Sequence, residues 1–170
     1  MRFAERTLLG EGFAGSGPSA AHVNTVLGRK GGPVETAWAT ALATPGLGHI
    51  PFVTVLRPNM PVKPATLFVN KADIRSDRHA ELTWGAAQAG VARGVLEGVA
   101  DGTIPAGEVD DLLLIAAVWV DWAADDEEAV YLANVEATHA ALAAGAEGRP
   151  AVEDLLDLRS EPENPFFRRS

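Results

Sequence analysis

The sequence predicts an α/β (α+β) fold: a single two-layer domain with helices packed on a mixed or antiparallel sheet. Three observations predict it. Residues 20–27 alternate as a strand does and feed a helix through a glycine-rich bend, residues 76–100 carry a helical apolar stripe, and residues 112–122 are an apolar run suited to a central strand. At 170 residues the chain can bury one substantial core. Residues 1–150 are expected to form that domain, and 151–170 a tail or an arm laid on a neighbouring subunit.

The elements follow in the order β-β-α-β-β-α-β-α. An opening strand with Phe3, Leu8 and Leu9 as apolar points breaks at Gly15-Ser16-Gly17-Pro18. In the next strand Ala20, His22, Asn24 and Val26 share one face, and Ala21, Val23, Thr25 and Leu27 the other. Pro33 and Glu35 then start a short amphipathic helix with Val34, Ala37, Trp38, Ala41 and Leu42 at helical spacing, which Pro45-Gly46 stops. Residues 50–56 are rich in β-branched side chains and predict a buried strand. Pro58, Pro61 and Pro64 lack the N–H a central ladder needs, so their segment is a rigid loop or an edge. Residues 65–74 resume strand character with Leu67, Val69 and Lys71 on one face, where an ammonium is costly to bury without a partner.

Ser76 or Asp77 caps the longest helix, whose stripe is Leu82, Ala86, Ala89, Ala92, Leu96 and Val99. Its middle is thin, from Gly85 to Gly90, with Gln88 standing there as a side chain that is both donor and acceptor. Two readings stay open: tight helix packing, or the close approach of a ligand. Asp125-Asp126-Glu127-Glu128 opens the last, alanine-faced helix, where negative charge complements the helix dipole. Residues 151–170 have little periodicity.

Composition excludes several classes of function. The 23 acidic residues against 14 basic give a charge of −9, which argues against a nucleic-acid footprint. Cysteine is absent, so disulfides, thiolate metal sites and cysteine nucleophiles are excluded and any reacting thiol must arrive on a substrate. No phosphate fingerprint or metal-ligand spacing occurs, and His49, His79 and His139 fall at turn or helix-surface positions where solvation is expected. No apolar run approaches the roughly 20 residues of a membrane span, and Arg2, Glu5 and Arg6 leave no signal-peptide core at the N-terminus. A soluble, cytoplasmic protein without metal or tightly bound cofactor is expected.

An imidazole beside a carboxamide on an apolar strand fits a structural histidine as well as a reactive one. Resemblance decides between them. Residues 21–38 (AHVNTVLGRKGGPVETAW), 57–71 (RPNMPVKPATLFVNK) and 85–92 (GAAQAGVA) resemble, in order, the formaldehyde-activating enzyme family, and the likeness runs from residue 10 to about 142. It implies a ribosomal protein S5 domain 2-like fold, a homopentamer with its sites between subunits, and condensation of formaldehyde with tetrahydromethanopterin, a one-carbon carrier that serves as co-substrate. By the same resemblance His22 is the general acid, Lys71 and Gln88 contact the carrier, and Val53 falls where a leucine usually touches the pterin.

Formaldehyde is too small to be held by shape, so such a protein works by binding the acceptor and placing the electrophile beside it. The alkoxide formed on addition must be protonated, and for an amine acceptor the carbinol must then lose hydroxide, so an imidazole suits both steps. Two departures from the family's pattern bear directly on the acceptor: Asn24 replaces an aspartate and Asp73 a small hydroxyl residue; the family's late histidine is also replaced, by Asp121 before Trp122. The alanine- and arginine-rich usage is typical of a high-GC genome, where a thiol such as mycothiol commonly carries formaldehyde. The expected function is therefore capture of formaldehyde onto a pterin, or onto mycothiol to give an S-hydroxymethyl adduct. A formaldehyde- or carrier-binding sensor without turnover is the alternative.

Overall fold

The structure, a computed structural model, describes residues 3–164. Strand β1 (Leu8–Ala14) pairs antiparallel with β2 (Ala21–Arg29), and helix α1 (Pro33–Ala43) follows the bend after β2. Four strands come next: β3 (Phe52–Val53), β4 (Val55–Arg57), β5 (Met60–Pro61) and β6 (Ala65–Asn70). Helix α2 (Asp77–Glu81) runs through a π-helical stretch (Leu82–Ala87) into α3 (Gln88–Ala100), before β7 (Leu112–Trp119), α4 (Glu127–Glu147) and α5 (Val152–Asp157). Five strands form one mixed sheet in the order β1-β2-β7-β6-β3, parallel only between β6 and β7, and β4-β5 is a separate hairpin. This is the two-layer α/β domain the sequence predicts, with β7 at its centre.

Alternation decides which face becomes the core. Ala21, Val23 and Leu27 of β2, Leu112, Leu114, Ala116 and Val118 of β7 and Phe68 of β6 are buried in one cluster with Val91 and Val95 of α3 and Ala137 and Leu142 of α4. Each large side chain there contributes roughly 1.5–3 kcal/mol by leaving water. Helix α4 lies so close to β1 that a Cβ on Gly12 would collide with the Ala137 carbonyl. Where α3 meets α4, a Cβ at Gly90 would fall against the Tyr131 carbonyl and Asn134. At Gly90 the thin middle of the long helix therefore serves helix packing, whereas Gly85 faces open space.

Several expectations need correction. The segment at 50–56 is not a buried strand. It breaks into β3 and β4 at the sheet edge, and within 51–57 only Thr54 is fully buried, its N–H bonded to the Thr66 carbonyl. The stripe of the long helix is wider than expected: Leu82, Ala86 and Ala92 are buried and Leu96 and Val99 pack against the core, but Ala89 is exposed, and Val91, Gly94, Val95 and Gly98 also face inward. The π-helical turn adds a residue to the repeat, so a pattern extrapolated from Leu82 at 3.6 residues per turn drifts out of phase. His79 is not solvated. It is 2 % exposed, and its Nε2 faces the Val120 carbonyl at 3.1 Å. Helix α1 buries only Val34 fully, leaving Leu42 at its surface.

The caps follow the sequence. The Ser76 side chain accepts from His79 N–H and the Asp126 carboxylate from Ala129 N–H. The expected tail contains the short, exposed helix α5, and its residues 165–170 lie outside the described residues. No described helix is long and apolar enough to cross a membrane.

Candidate active site

The sheet face away from α3 and α4 carries the chemistry. Antiparallel register sets Glu11 of β1 opposite Asn24 and Phe13 opposite His22, while β7 sets Trp119 opposite His22 and Ala117 opposite Asn24. Residues paired across strands share a face, so these side chains form two adjacent rows. Lys71 follows β6 directly, and its backbone N–H is held by the Val118 carbonyl at 2.7 Å, which extends the β6-β7 ladder by one residue. Its side chain must cross β7 to meet β2. Ala117, between Asn24 on β2 and Val69 on β6, leaves room for that path.

The side chains meet in a chain of contacts. Glu11 Oε1 stands 2.9 Å from His22 Nε2, Lys71 Nζ is 3.2 Å from His22 Nδ1, and Lys71 donates to Asn24 Oδ1 at 2.8 Å. An ammonium can only donate, so His22 Nδ1 is the acceptor, and the imidazole proton sits on Nε2 facing the carboxylate. The Phe13 ring lies tilted against the imidazole with centroids 6.4 Å apart. Burial lowers the His22 pKa below its ordinary value and the Lys71 charge pushes the same way, while Glu11 opposes both. Burial also brings Lys71 down to about 8, with Glu11 again opposing. The site thus holds an imidazole and an amine that both give up protons easily. An open pocket of ≈ 690 Å³ lies beside them, lined by Glu11, Phe13, His22, Trp119 and Asp121, with Glu163 from the tail.

The other sequence candidates lie apart from this chain of contacts. Asp73 pairs with His49 at 3.2 Å, and its carbonyl accepts from Trp122 Nε1 at 2.9 Å. Asp121, where the family resemblance expects a histidine, lines the pocket and accepts from Ala123 N–H at 2.8 Å. Val53 pairs with Leu67 on the edge strand β3. Gln88 is 8 % exposed, and its Oε1 accepts from Val55 N–H at 2.9 Å. Within one chain, His22, Asn24 and Lys71 come together, whereas Val53 and Gln88 lie at the β3-β4 end.

Glu11 was not among the candidates. Its signal was available: in an alternating first strand it shares a face with Leu9 and Phe13, and an antiparallel hairpin to β2 brings that face against His22.

Comparison with known proteins agrees with the motifs. A family model described as formaldehyde-activating enzyme (Fae) matches residues 9–167. The chain is 44 % identical over 161 residues to a 5,6,7,8-tetrahydromethanopterin hydro-lyase of Methanosarcina barkeri, covering 95 % of this chain and 90 % of that protein. It is also 38 % identical over 149 residues to a bifunctional enzyme Fae/Hps of Methanosarcina mazei, and 35 % identical over 161 residues to one of Archaeoglobus fulgidus. These alignments cover 88 % and 95 % of this chain but only 38 % and 41 % of the bifunctional proteins.

Proposed function

Because this chain belongs to the formaldehyde-activating enzyme family, we propose that it condenses formaldehyde with a tetrahydromethanopterin-type carrier, releasing water and leaving a methylene bridge on the carrier. The observation that carries this reading is the contact chain Glu11–His22–Lys71–Asn24 beside an open pocket. Condensation needs a group that can move two protons, one from each reacting carrier nitrogen, the first to the alkoxide and the second to the departing hydroxyl. A neutral His22, held through Nε2 by Glu11, has an unprotonated Nδ1 in contact with Lys71 Nζ to act as that relay. Glu11 stabilises the imidazolium each time it forms, as the carboxylate partner of a catalytic histidine does.

The separation of Gln88 and Val53 from His22 supports a site shared between copies of the chain. In a closed ring each interface brings the β3-β4 end of one subunit to the open sheet face of the next. A homopentamer is the ring the family resemblance implies. Leu9, Phe13, Leu42 and Leu47, exposed in the single chain, are suited to that contact.

Mycothiol is the second acceptor, favoured by the neutral Asn24 where a carboxylate would hold an amine-rich pterin. Initial rates of formaldehyde loss above a protein-free control, measured separately with tetrahydromethanopterin, mycothiol and glutathione, decide between them. Acceleration by the pterin supports the condensation. Acceleration with mycothiol alone replaces the pterin with the thiol, and acceleration with none leaves a binding protein.

A further inference from the structure

Lys71 is placed unlike the other lysines of this chain. Lys30 and Lys63 are exposed and bonded to Asp110, the first to its carbonyl at 2.6 Å and the second to its carboxylate at 2.5 Å. Lys71 is half-buried on the reactive sheet face, and the two partners its Nζ reaches are a carboxamide oxygen and an imidazole nitrogen. Neither is a charged base that would hold the ammonium in place, as a carboxylate would. An amine beside a proton acceptor, in a site that uses an aldehyde, has the arrangement of an imine-forming lysine.

We propose that Lys71 is a covalent nucleophile toward formaldehyde, capturing it as a methylene iminium that is passed to the carrier. This deepens the condensation reading above and rests on it. The step begins when the Lys71 ammonium gives a proton to His22 Nδ1 across 3.2 Å, forming an imidazolium that Glu11 supports at Nε2. Asn24 Oδ1 keeps one N–H of the amine and so orients the lone pair. Nζ attacks the carbonyl carbon, one N–H proton passes to the oxygen, and a carbinolamine results. The imidazolium then returns its proton to the hydroxyl, the C–O bond breaks, water leaves, and a C=N bond forms. Overall, ammonium plus formaldehyde gives iminium plus water, with charge unchanged and no redox partner required. A carrier nitrogen adds to the iminium carbon, a second carrier nitrogen displaces Nζ, and the two carrier N–H protons pass to Nζ, closing the methylene bridge and returning the lysine as its ammonium.

The reading explains why a cation is placed where it cannot keep its proton firmly. A lysine serving only to bind an anionic or polar carrier edge gains from a firm charge, whereas a nucleophile needs the free amine. Burial brings Lys71 to about 8, so about a tenth is neutral near pH 7, far more than for an ordinary lysine.

Brief pulses of ¹³C-formaldehyde with cyanoborohydride, followed by digestion and mass spectrometry, read the iminium directly as methylated lysine in the intact wild-type protein. Lys71 is expected to label at least about tenfold faster than Lys30 and Lys63, the other lysines of the chain, as an activated nucleophile does. Its labelling is expected to fall in His22→Ala and when tetrahydromethanopterin is present to take the methylene group. Lys71→Arg retains a cation and donors but cannot form an iminium, so it is expected to lose turnover while keeping its circular dichroism and carrier binding. Equal labelling of the three lysines, or turnover retained in Lys71→Arg, overturns the covalent role. Wild-type turnover measured in parallel separates the two readings. Catalysed condensation without preferential labelling removes the iminium and leaves the condensation intact. Preferential labelling without condensation supports capture at Lys71 and removes the carrier reaction.

Discussion

Glu11 Oε1 lies 2.9 Å from His22 Nε2, so the imidazole is oriented by a carboxylate on the neighbouring strand and turns Nδ1 toward Lys71. The pair arises from one antiparallel register, in which Glu11 stands opposite Asn24 and His22 opposite Phe13.

His22→Ala is expected to lower the catalysed rate of formaldehyde capture by about two orders of magnitude or more, the usual share of a positioned acid or base. The side chain is 38 % exposed and points away from the core, so circular dichroism and Tm are expected to stay near wild type. Full activity after subtraction of the uncatalysed background would assign His22 a structural role.

Glu11→Gln tests the orientation. Glu11 raises the His22 pKa by its charge and by its hydrogen bond, so removing the charge is expected to move the imidazole titration to lower pH. Activity is expected to fall by about tenfold, in keeping with the loss of one charge-assisted hydrogen bond. NMR titration of the His22 ring checks the first effect and initial rates the second. An unchanged titration would break the link between the two residues.

Lys71→Met tests the cost of holding this amine in the fold. The folded pKa of about 8 is below the ordinary 10.5, so the unfolded chain binds more protons between those values. Stability from this group is present above 10.5, is lost as pH falls through 8, and is absent below. The variant is therefore expected to gain Tm over wild type at pH 7, with the gain shrinking as pH rises from 8 to 10. A Tm difference independent of pH over that range would remove the perturbed lysine.

Subunit complementation tests the shared site. Separate preparations of His22→Ala and Gln88→Ala are expected to be nearly inactive, and mixing them under exchange conditions is expected to restore activity. With random assembly about a quarter of the interfaces pair two intact halves, since each interface draws one half from each neighbour. Recovery confined to the sum of the two parents, or a monomer by light scattering at micromolar concentration, would place the whole site in one chain.

Gly12→Ala tests the contact that fixes β1. A methyl group at this position meets the Ala137 carbonyl, backbone that cannot swing aside. A loss of about 2 kcal/mol or more is expected, lowering Tm by roughly 5 °C. If Tm is unchanged, β1 and α4 do not pack as closely as described.

Local pattern carried much of this protein in its sequence. The alternation of β2, the apolar run of β7 and the caps at Ser76 and Asp126 are consequences of side-chain period and short-range hydrogen bonding, and these act over a few residues. The same period placed His22 and Asn24 on one face, and the family motifs marked Lys71. Tertiary structure decided what depends on register and on helical phase. Glu11 became part of the site only when β1 paired with β2, and Lys71 reached Asn24 only because β6 lies one strand beyond β7, with Ala117 between. The π-helical turn after α2 shifted which residues of the long helix meet the core. Burial then lowered the Lys71 and His22 pKa values, because desolvation is a property of everything packed around a group and is written in no single stretch of the chain.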